Sequence, residues 1–590
     1  LLPRYLLLFG DGTYDPKNRL PNNNNYVPTY QVLNSEYSLS AMVTDDYFGM
    51  LDQNESISST DMLDIGVGRL LISDETMAKQ QVDKIEHYLK NGSNLFNSSI
   101  SQCTNNSESE VFGDWRNKYV LITDDEEGGY FINQDAEPSS SYVKANFPEM
   151  NCDKIYIDAY KQVSNAGGQR YPEVVKAISN RVESGALVMN YIGHGGEKGA
   201  AEERIITIPQ IKDWVNVDKL NLFVSATCEF TKYDDPSRVS AGEWMSLNSS
   251  GGAVALMTTT RSVFFGVNTI TGKKFYENVF SRDSLGRPLR FGDIIRLTKN
   301  TSGSSDNKRS FTLIGDPALR IALPYQRIVT DSINGMSPDM VLDTLRALSK
   351  VRIKGHIEDW NNTVINDFQG VLQPTVLDKV KIQRTLGQDS DSPVIPFEIQ
   401  KNAMYRGKAT IRNGYFDYSF IVPKDIDYSY GNGKISYYAD NQNVDAQGQD
   451  VRFIVGGIDT NGLNDNNGPE ITLFLNDENF VNGGLTDENP TLIVQLFDES
   501  GINTVGNGIG HDITVVLDNK TENPIILNEY YSANIDTYQE GGVIYNFDQL
   551  EEGAHNLVFK AWDVNNNSSE MRLDFIVQKS EDLSLSHVLN

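Results

Sequence analysis

One histidine and one cysteine of this chain each follow an apolar run, 34 positions apart. His194 lies near the end of ALVMNYIGHGG (186–196), between glycines, and Cys228 near the end of NLFVSATCEF (221–230). An imidazole beside a thiol takes or holds its proton, which makes the sulfur nucleophilic, and it then protonates a leaving amine. If the two runs are neighbouring strands, these residue types predict acyl-transfer chemistry.

The glycines beside His194 support this interpretation. Glycine lets the backbone approach other groups more closely than any side chain allows. We expect the backbone N–H groups of Gly195 and Cys228 to face a developing oxyanion. Each side chain alone has an ordinary explanation, a buried small hydrophobe for the cysteine and a structural turn for the histidine. Their joint occurrence at the ends of consecutive runs favours catalysis.

The runs around both residues predict the elements that hold them. They are apolar throughout, which is typical of strands buried on both faces of a sheet. Amphipathic helical patterns at 74–90 and 171–184 alternate with them. This alternation predicts an α/β fold with a doubly wound, mostly parallel sheet. The predicted strands are 5–12, 118–125, 154–160, 186–196, 221–230 and 251–261.

The pattern of predicted strands and helices changes near residue 324. Beyond it, short alternating strands are bounded by Gly, Asn and Pro, and about seven of them are expected in the last module. Such spacing is typical of β-sandwiches, here two Ig-like modules. The expected segments are two peptidase subdomains at 1–112 and 113–324, β-sandwich modules at 325–460 and 466–579, and a tail at 580–590.

Composition excludes several classes of protein. With 51 Lys and Arg against 80 Asp and Glu, the net charge of −29 argues against a nucleic-acid partner. No apolar stretch reaches about 18 residues, so no transmembrane helix is expected. Three widely spaced cysteines exclude a disulfide framework. Cys103 lies in a polar stretch at 91–114 that we expect to be a long loop, and Cys152 precedes its strand, which leaves Cys228 as the preferred nucleophile.

The N-terminal half of the chain resembles the gingipain family of caspase-like cysteine peptidases. The stretches that carry the resemblance are LLLFGDGTYDP, VTDDYFGMLD, DIGVGRLLISDETMAKQQVDKIEHYL, YVLITDDEEGG, NYIGHGG, VSATCEF and TLIGDPALRI. The resemblance implies a caspase-like fold and a dyad of His194 and Cys228. It also implies an acidic residue that orients the histidine, for which Glu137 and Asp135 are equal choices and Asp158 is the next.

Within the family, the combination of motifs is most similar to the signal peptidase of the type IX secretion system. That similarity implies an exported endopeptidase and sortase-like transpeptidase on the outer membrane at the cell surface, which removes the C-terminal signal domain of cargo through a Cys thioester. The implied partners are the C-terminal domains of secreted cargo, an anionic lipopolysaccharide acceptor, an outer-membrane partner such as PorV, and attachment-complex proteins. Two alternatives stay open: a general gingipain-like secreted protease, and a non-catalytic surface binding protein on a degenerate peptidase scaffold.

Two further groups of residues each allow two interpretations. Asp45, Asp46 and Asp52 in VTDDYFGMLD either orient a turn or ligate Ca²⁺. No cofactor is required for the chemistry, and a structural Ca²⁺ is the one metal expected. The stretch 258–268 is expected to line the pocket for the substrate residue before the scissile bond. Within it, Arg261 is either a clamp for a substrate carboxylate or a surface charge.

Overall fold

The computed structural model describes residues 3–33, 35–37, 40–58, 60–89, 111–340, 344–462, 465–505 and 510–579. Most of the predicted polar loop at 91–114, including Cys103, and the predicted tail at 580–590 lie outside these residues. Among the described residues, no helix has both the length and the apolar character needed to cross a membrane.

An eight-stranded sheet forms the core of the N-terminal part of the molecule. The strands of this part are β1 Tyr5–Phe9, β2 Tyr30–Gln31, β3 Val43–Thr44, β4 Gly66–Leu70, β5 Lys118–Thr123, β6 Asn151–Tyr156, β7 Val163–Asn165, β8 Gly168–Arg170, β9 Val188–Ile192, β10 Gly195–Gly196, β11 Gly199–Ala200, β12 Ile206–Thr207, β13 Asn221–Ala226, β14 Ala253–Thr259 and β15 Phe311–Ile314. The strand order of the sheet is β1-β4-β15-β14-β13-β9-β5-β6, and all neighbours pair in parallel except β14 and β15.

Helices cover both faces of this sheet. Successive residues of β5 alternate between two cores, with Tyr119 and Leu121 in one and Val120 and Ile122 in the other. The continuous apolar runs of the sequence follow from this burial on both sides. The helices are α1 Glu75–Leu89, α2 Glu137–Asn146, α3 Pro172–Ser184, α4 Ile208–Asp213, α5 Ala241–Leu247, α6 Phe265–Asn278 and α7 Phe291–Thr301.

After the α/β sheet, the chain forms a β-sandwich with one core between an eight-stranded and a three-stranded sheet. The strands of this module are β16 Gln326–Ile333, β17 Leu345–Ala347, β18 Lys350–Glu358, β19 Gly370–Leu377, β20 Lys381–Arg384, β21 Pro396–Ile399, β22 Ala403–Arg406, β23 Ala409–Ile411, β24 Tyr415–Ile421, β25 Gly431–Asn432, β26 Lys434–Asp440, β27 Asp445–Asp450 and β28 Ile454–Ile458. Strands β20 and β21 form a separate hairpin that extends towards β6 of the first sheet.

A second sandwich follows, with a four-stranded sheet packed on a five-stranded one. Its nine described strands exceed the expected seven, because two of them have only two residues each and leave little pattern in the sequence. The strands are β29 Glu470–Leu475, β30 Leu485–Thr486, β31 Thr491–Phe497, β32 Thr514–Leu517, β33 Ile525–Ile526, β34 Tyr531–Ala533, β35 Glu540–Asn546, β36 Gly553–Trp562 and β37 Ser568–Val577.

The architecture confirms the predicted fold class, a doubly wound α/β sheet followed by two β-sandwiches. One feature of the sheet was not predicted: β1, β4 and β15 run opposite to the other five strands, because the β14–β15 pair is antiparallel. Strands from both expected peptidase subdomains share this sheet. The subdomain and module boundaries themselves stay predictions.

Candidate active site

The sheet brings His194 and Cys228 to the same edge. Strands β9 and β13 pair in parallel, and their last register pair is Ile192 with Ala226. Each candidate residue lies two positions beyond its member of that pair. The backbone N–H of Gly193 donates to the carbonyl of Ala226 at 3.4 Å, which joins the two loops where they leave the sheet.

Glycine is required on both sides of the histidine. A Cβ on Gly193, whose φ is +159°, would lie 2.4 Å from the Cβ of Asp124. A Cβ on Gly195 would lie 2.8 Å from the hydroxyl of Thr227. Contacts under 3 Å force a displacement, so only glycine lets the histidine loop lie against both the β5 loop and the residue that precedes Cys228.

The imidazole of His194 lies between aromatic rings and carboxylates. The rings of Phe131 and Phe265 contact it edge-on, with centroids 5.6 and 5.7 Å away. Its Nε2 is 3.2 Å from Oε1 of Glu127 and 3.5 Å from Oε2 of Glu126. Carboxylates at this distance favour a fixed orientation of the ring.

A third carboxylate fixes the backbone of the histidine loop. Oδ2 of Asp124 accepts from the backbone N–H of His194 at 2.8 Å and from the hydroxyl of Tyr191 at 3.2 Å. Strand β5 is the neighbour of β9 on the side away from β13, with Thr123 opposite Ile192. The acidic loop therefore starts at the level where β9 ends.

Cys228 is partly buried on the opposite side of the histidine loop. Its Sγ is 3.8 Å from the carbonyl oxygen of Val263, which follows β14. The second described cysteine, Cys152, is different, because burial raises the pKa of its thiol to about 11. A thiol with such a pKa is almost entirely protonated at neutral pH and is a poor nucleophile.

The structure does not bring the predicted orienting acids Glu137 and Asp135 to His194. Oε1 of Glu137 accepts from Lys154 and Tyr156, both at 2.6 Å. Asp135 is buried against α6, and this burial raises its pKa to about 7. The reason is local: after Gly129 the chain enters a π-helical segment, Phe131–Ala136, which carries these side chains away from the sheet edge.

The acids that do reach His194 are therefore Glu126 and Glu127. They were missed although the sequence contains their signal, since DDEEGG follows β5 directly, as His194 follows β9. Asp158, the next choice, is also occupied elsewhere. Its Oδ2 accepts from the backbone N–H of Gly387 at 2.7 Å, so it binds the first sandwich module.

The expected calcium ligands do not form one group. Asp45 pairs with Arg69 through two hydrogen bonds of 2.8 and 2.7 Å. Asp46 pairs with two other buried cations at 2.6 and 3.2 Å, Lys299 and Arg309. Only Asp52 is left exposed, close to the carboxylates of two other residues, Glu55 and Asp64. The first two aspartates are thus neutralised by side chains of the protein.

A group of acids that the sequence did not reveal lies behind the histidine loop. One carboxylate oxygen each of Asp124, Asp125 and Glu203 lies within 4.8 Å of the others, and all three residues are buried. Burial raises the pKa of each, that of Glu203 to about 7. Among the described residues, none forms an ion pair with these three. The histidine loop therefore packs against carboxylates that favour the protonated state.

Arg261 is not available to a substrate. It donates to both carboxylate oxygens of Asp234, at 2.8 and 2.6 Å, and both side chains are buried. The expectation that it is either a substrate clamp or a surface charge is therefore wrong, because the arginine is a buried structural partner of the loop that follows Cys228.

Two solved structures are similar to this chain. Dimeric latent PorU from Porphyromonas gingivalis is 26% identical over 98% of this chain and 48% of its own, with a TM-score of 0.34. The chain thus spans about half the length of that protein. The Arg-specific cysteine proteinase gingipain R is 14% identical over 77% of this chain and 84% of its own, with a TM-score of 0.39. No similar curated protein is found. The sequence model of Peptidase family C25 matches residues 2–322, more than half of the chain. The chain therefore belongs to Peptidase family C25, the gingipain family of cysteine peptidases.

Proposed function

We propose that Cys228 and His194 form the catalytic dyad of this peptidase. The observation that carries the proposal is the register of β9 and β13, which places both residues two positions beyond one strand pair. In an α/β sheet, the carboxyl ends of parallel strands are the usual place for a reaction centre. Glu127, with Glu126 beside it, orients the imidazole.

The reaction follows from these positions. The Cys228 thiolate attacks the carbonyl carbon of the scissile peptide bond, and a tetrahedral oxyanion forms. Backbone N–H groups of Gly195 and Cys228 stabilise the oxyanion. The carbon–nitrogen bond then breaks, His194 transfers a proton to the leaving amine, and the acyl group stays on sulfur as a thioester. Water resolves the thioester in a hydrolase, and an amine or hydroxyl acceptor resolves it in a transpeptidase.

The substrate we propose is the C-terminal signal domain of cargo exported by the type IX secretion system. The enzyme cleaves before that domain at the cell surface and transfers the new carboxyl end to anionic lipopolysaccharide. Support comes from the motif pattern, from GDGTYDP after β1 to the closing IGDPALRI, in a chain that belongs to the gingipain family. The partners that go with this proposal are PorV, attachment-complex proteins and the cargo domain.

The test replaces Cys228 by alanine, with Cys152→Ala as the matched control. In cells that export such cargo, C228A should leave cargo uncleaved at the surface, with a loss of processing of at least about a thousandfold. C152A should process cargo normally, because the pKa of that thiol is raised to about 11 and it is therefore protonated at neutral pH. Normal processing by C228A would overturn the proposal.

The mass of the cleaved cargo separates the finer alternatives. A free carboxyl terminus indicates hydrolysis, whereas an added glycan mass indicates transfer to lipopolysaccharide. Cleavage of unrelated polypeptides by the purified chain would favour a general secreted protease instead. An unreactive Cys228 would favour the non-catalytic binding protein.

A further inference from the structure

A loop of the first sandwich module packs against the acidic loop beside His194. We call residues 385–395, which join β20 to β21, the bracing loop, and residues 124–129, which follow β5, the carboxylate loop. The two are more than 250 residues apart in sequence. They meet because the β20–β21 hairpin covers β6, the edge strand of the α/β sheet, where the ring of Phe397 packs at a tilt against that of Tyr156 with centroids 4.7 Å apart.

The carboxylate loop has a backbone that needs outside support. Three successive residues, Glu127, Gly128 and Gly129, have φ values of 59°, 61° and 74°. This left-handed region suits glycine but is unfavourable for glutamate, whose Cβ approaches the backbone carbonyl. The position of the Glu127 carboxylate at 3.2 Å from His194 therefore depends on contacts that hold this turn.

The bracing loop supplies direct contacts to the turn. The hydroxyl of Ser392 donates to the carbonyl of Asp125 at 2.7 Å, and both residues are buried. The side chains of Pro393 and Ile395 fill the space beside Gly129, where an added Cβ would lie 2.3 Å from the Ile395 Cδ1 atom. Backbone and side-chain contacts thus hold both ends of the turn.

A second chain of hydrogen bonds reaches the same loop from the side. Oδ2 of Asp389 accepts from the amide of Gln162 at 2.7 Å. The same amide donates to the hydroxyl of Tyr171 at 3.1 Å, and that hydroxyl donates to Oδ2 of Asp125 at 2.6 Å. Asp125 is thereby held by the bracing loop through its carbonyl and through its carboxylate.

The bracing loop is itself fixed to the peptidase domain. Asp158 accepts from the backbone N–H groups of Leu386, Gly387 and Gln388, at 2.7, 2.7 and 3.2 Å. The Gln388 side chain also donates to the carbonyl of Tyr160 at 2.8 Å. These contacts do not involve the carboxylate loop. The bracing loop is therefore fixed to the peptidase domain independently and can hold the carboxylate loop in place.

We propose that the bracing loop is a positioning element of the active site, with Ser392 as its principal positioning residue. It holds the carboxylate loop so that Glu127 faces His194, and through them it acts on Cys228. The first sandwich module is therefore a part of the catalytic unit. This inference rests on the proposed function, because it assumes that the His194–Cys228 pair is the reaction centre.

The test measures how fast iodoacetamide alkylates Cys228, read by peptide mass spectrometry across pH in the full chain. A carboxylate that faces the imidazole holds the ring in the orientation in which it can take the thiol proton, and the deprotonated sulfur is the form that iodoacetamide alkylates. Ser392→Ala should slow alkylation at pH 6.5 about fivefold, because Glu127 is then no longer held against the ring. Ser392→Thr, which keeps the hydroxyl, should stay within about twofold of the parent chain. Glu398→Gln is the matched control, because its exposed pair with Lys144 lies on the same hairpin.

A double-mutant comparison shows whether Ser392 acts through Glu127. In a Glu127→Gln background, Ser392→Ala should have almost no further effect on the rate, since the group that it positions is gone. An equal fivefold loss in both backgrounds, or a lower melting temperature with unchanged alkylation, would overturn the inference. If Cys228 of the parent chain reacts no faster at pH 6.5 than N-acetylcysteine, the proposed function itself fails, which is a distinct result.

Discussion

Two buried groups of acids in the α/β domain differ in how their charge is balanced. Asp45 and Asp46 face three buried cations, Arg69, Lys299 and Arg309, at hydrogen-bonding distance. Asp124, Asp125 and Glu203 face one another instead, and the described residues supply no cation to them. The first group joins segments distant in sequence, and the second lies directly behind the histidine loop.

The difference separates a structural role from a functional one. Buried charges cost free energy unless they are paired, so the paired aspartates contribute to holding the fold together. The unpaired acids are unfavourable when ionised, which is why burial raises their pKa. Groups with shifted pKa values concentrate at functional sites, and here three such carboxyl groups lie behind the loop of His194.

The largest effect is expected from breaking the balanced group. Arg69→Met removes the partner of Asp45 and leaves a buried, uncompensated carboxylate. The free energy of unfolding of the α/β domain should fall by about 3–5 kcal/mol. Calorimetry and denaturant unfolding followed by tryptophan fluorescence measure this loss. The control is Arg287→Met, which removes a half-exposed pair with Asp283 in the same domain and should cost less than about 1 kcal/mol. Equal losses in the two variants would remove the distinction.

A gain in stability is expected when an acid of the unbalanced group, Asp124, Asp125 and Glu203, is replaced by a neutral side chain. The pKa of Glu203 is raised to about 7, so its contribution to stability is complete below about pH 4.5 and is lost as pH rises through 7. Glu203→Gln does not titrate and avoids that loss. The variant should match the parent chain at pH 4 and be more stable by roughly 1–3 kcal/mol at pH 8. A variant less stable than the parent at pH 8 would mean that a cation balances these acids after all.

The fold was largely predictable because its strands are buried on both faces. The runs that became β5, β9 and β13 carry no polar alternation, and helix α3 buries the apolar face that its sequence predicts, with Val174, Ile178 and Val182. Helix α1 differs, because its buried side chains include Gln81 and Lys84 while Val82 and Leu89 are exposed. The reversal of β1, β4 and β15 was not predictable, since strand direction depends on how connections cross the sheet. The docking of the β20–β21 hairpin was equally hidden, because it joins residues more than 200 positions apart.

The candidate site was predictable only for residues that directly follow neighbouring parallel strands. The rule that parallel strands end at one edge placed His194 beside Cys228. The same rule applied to β5 selects Glu126 and Glu127. Asp135 and Glu137 come later in the chain, and the sequence gives no sign of the π-helical segment that carries them away from His194. The role of Asp45 could not be predicted from VTDDYFGMLD, because its partner Arg69 lies on β4 and contacts it only in the folded protein.

The two glutamates beside His194 differ in their distance from the imidazole. Glu127→Gln should lower processing, and alkylation of Cys228 at pH 6.5, about tenfold, since it removes the charge nearest to Nε2. Glu126→Gln should lower both only about twofold, because its carboxylate is farther away at 3.5 Å. Rates of the two variants, measured in parallel, check the order. The reverse order would make Glu126 the orienting residue.

The smallest effect is expected at Asp52, the exposed member of the proposed calcium set. Its neighbours Glu55 and Asp64 accept backbone N–H groups of their own loop, at 2.9 and 2.7 Å, and water screens all three charges. Asp52→Asn should therefore change the free energy of unfolding by less than about 0.5 kcal/mol. Melting temperatures in millimolar calcium and in chelator should agree for the parent chain and the variant. If calcium raises the melting temperature of the parent chain and Asp52→Asn abolishes that rise, exposed acids that lie close together suffice for a metal site here. These acids would then be balanced by a bound metal ion, and neither by buried cations of the protein nor by protonation.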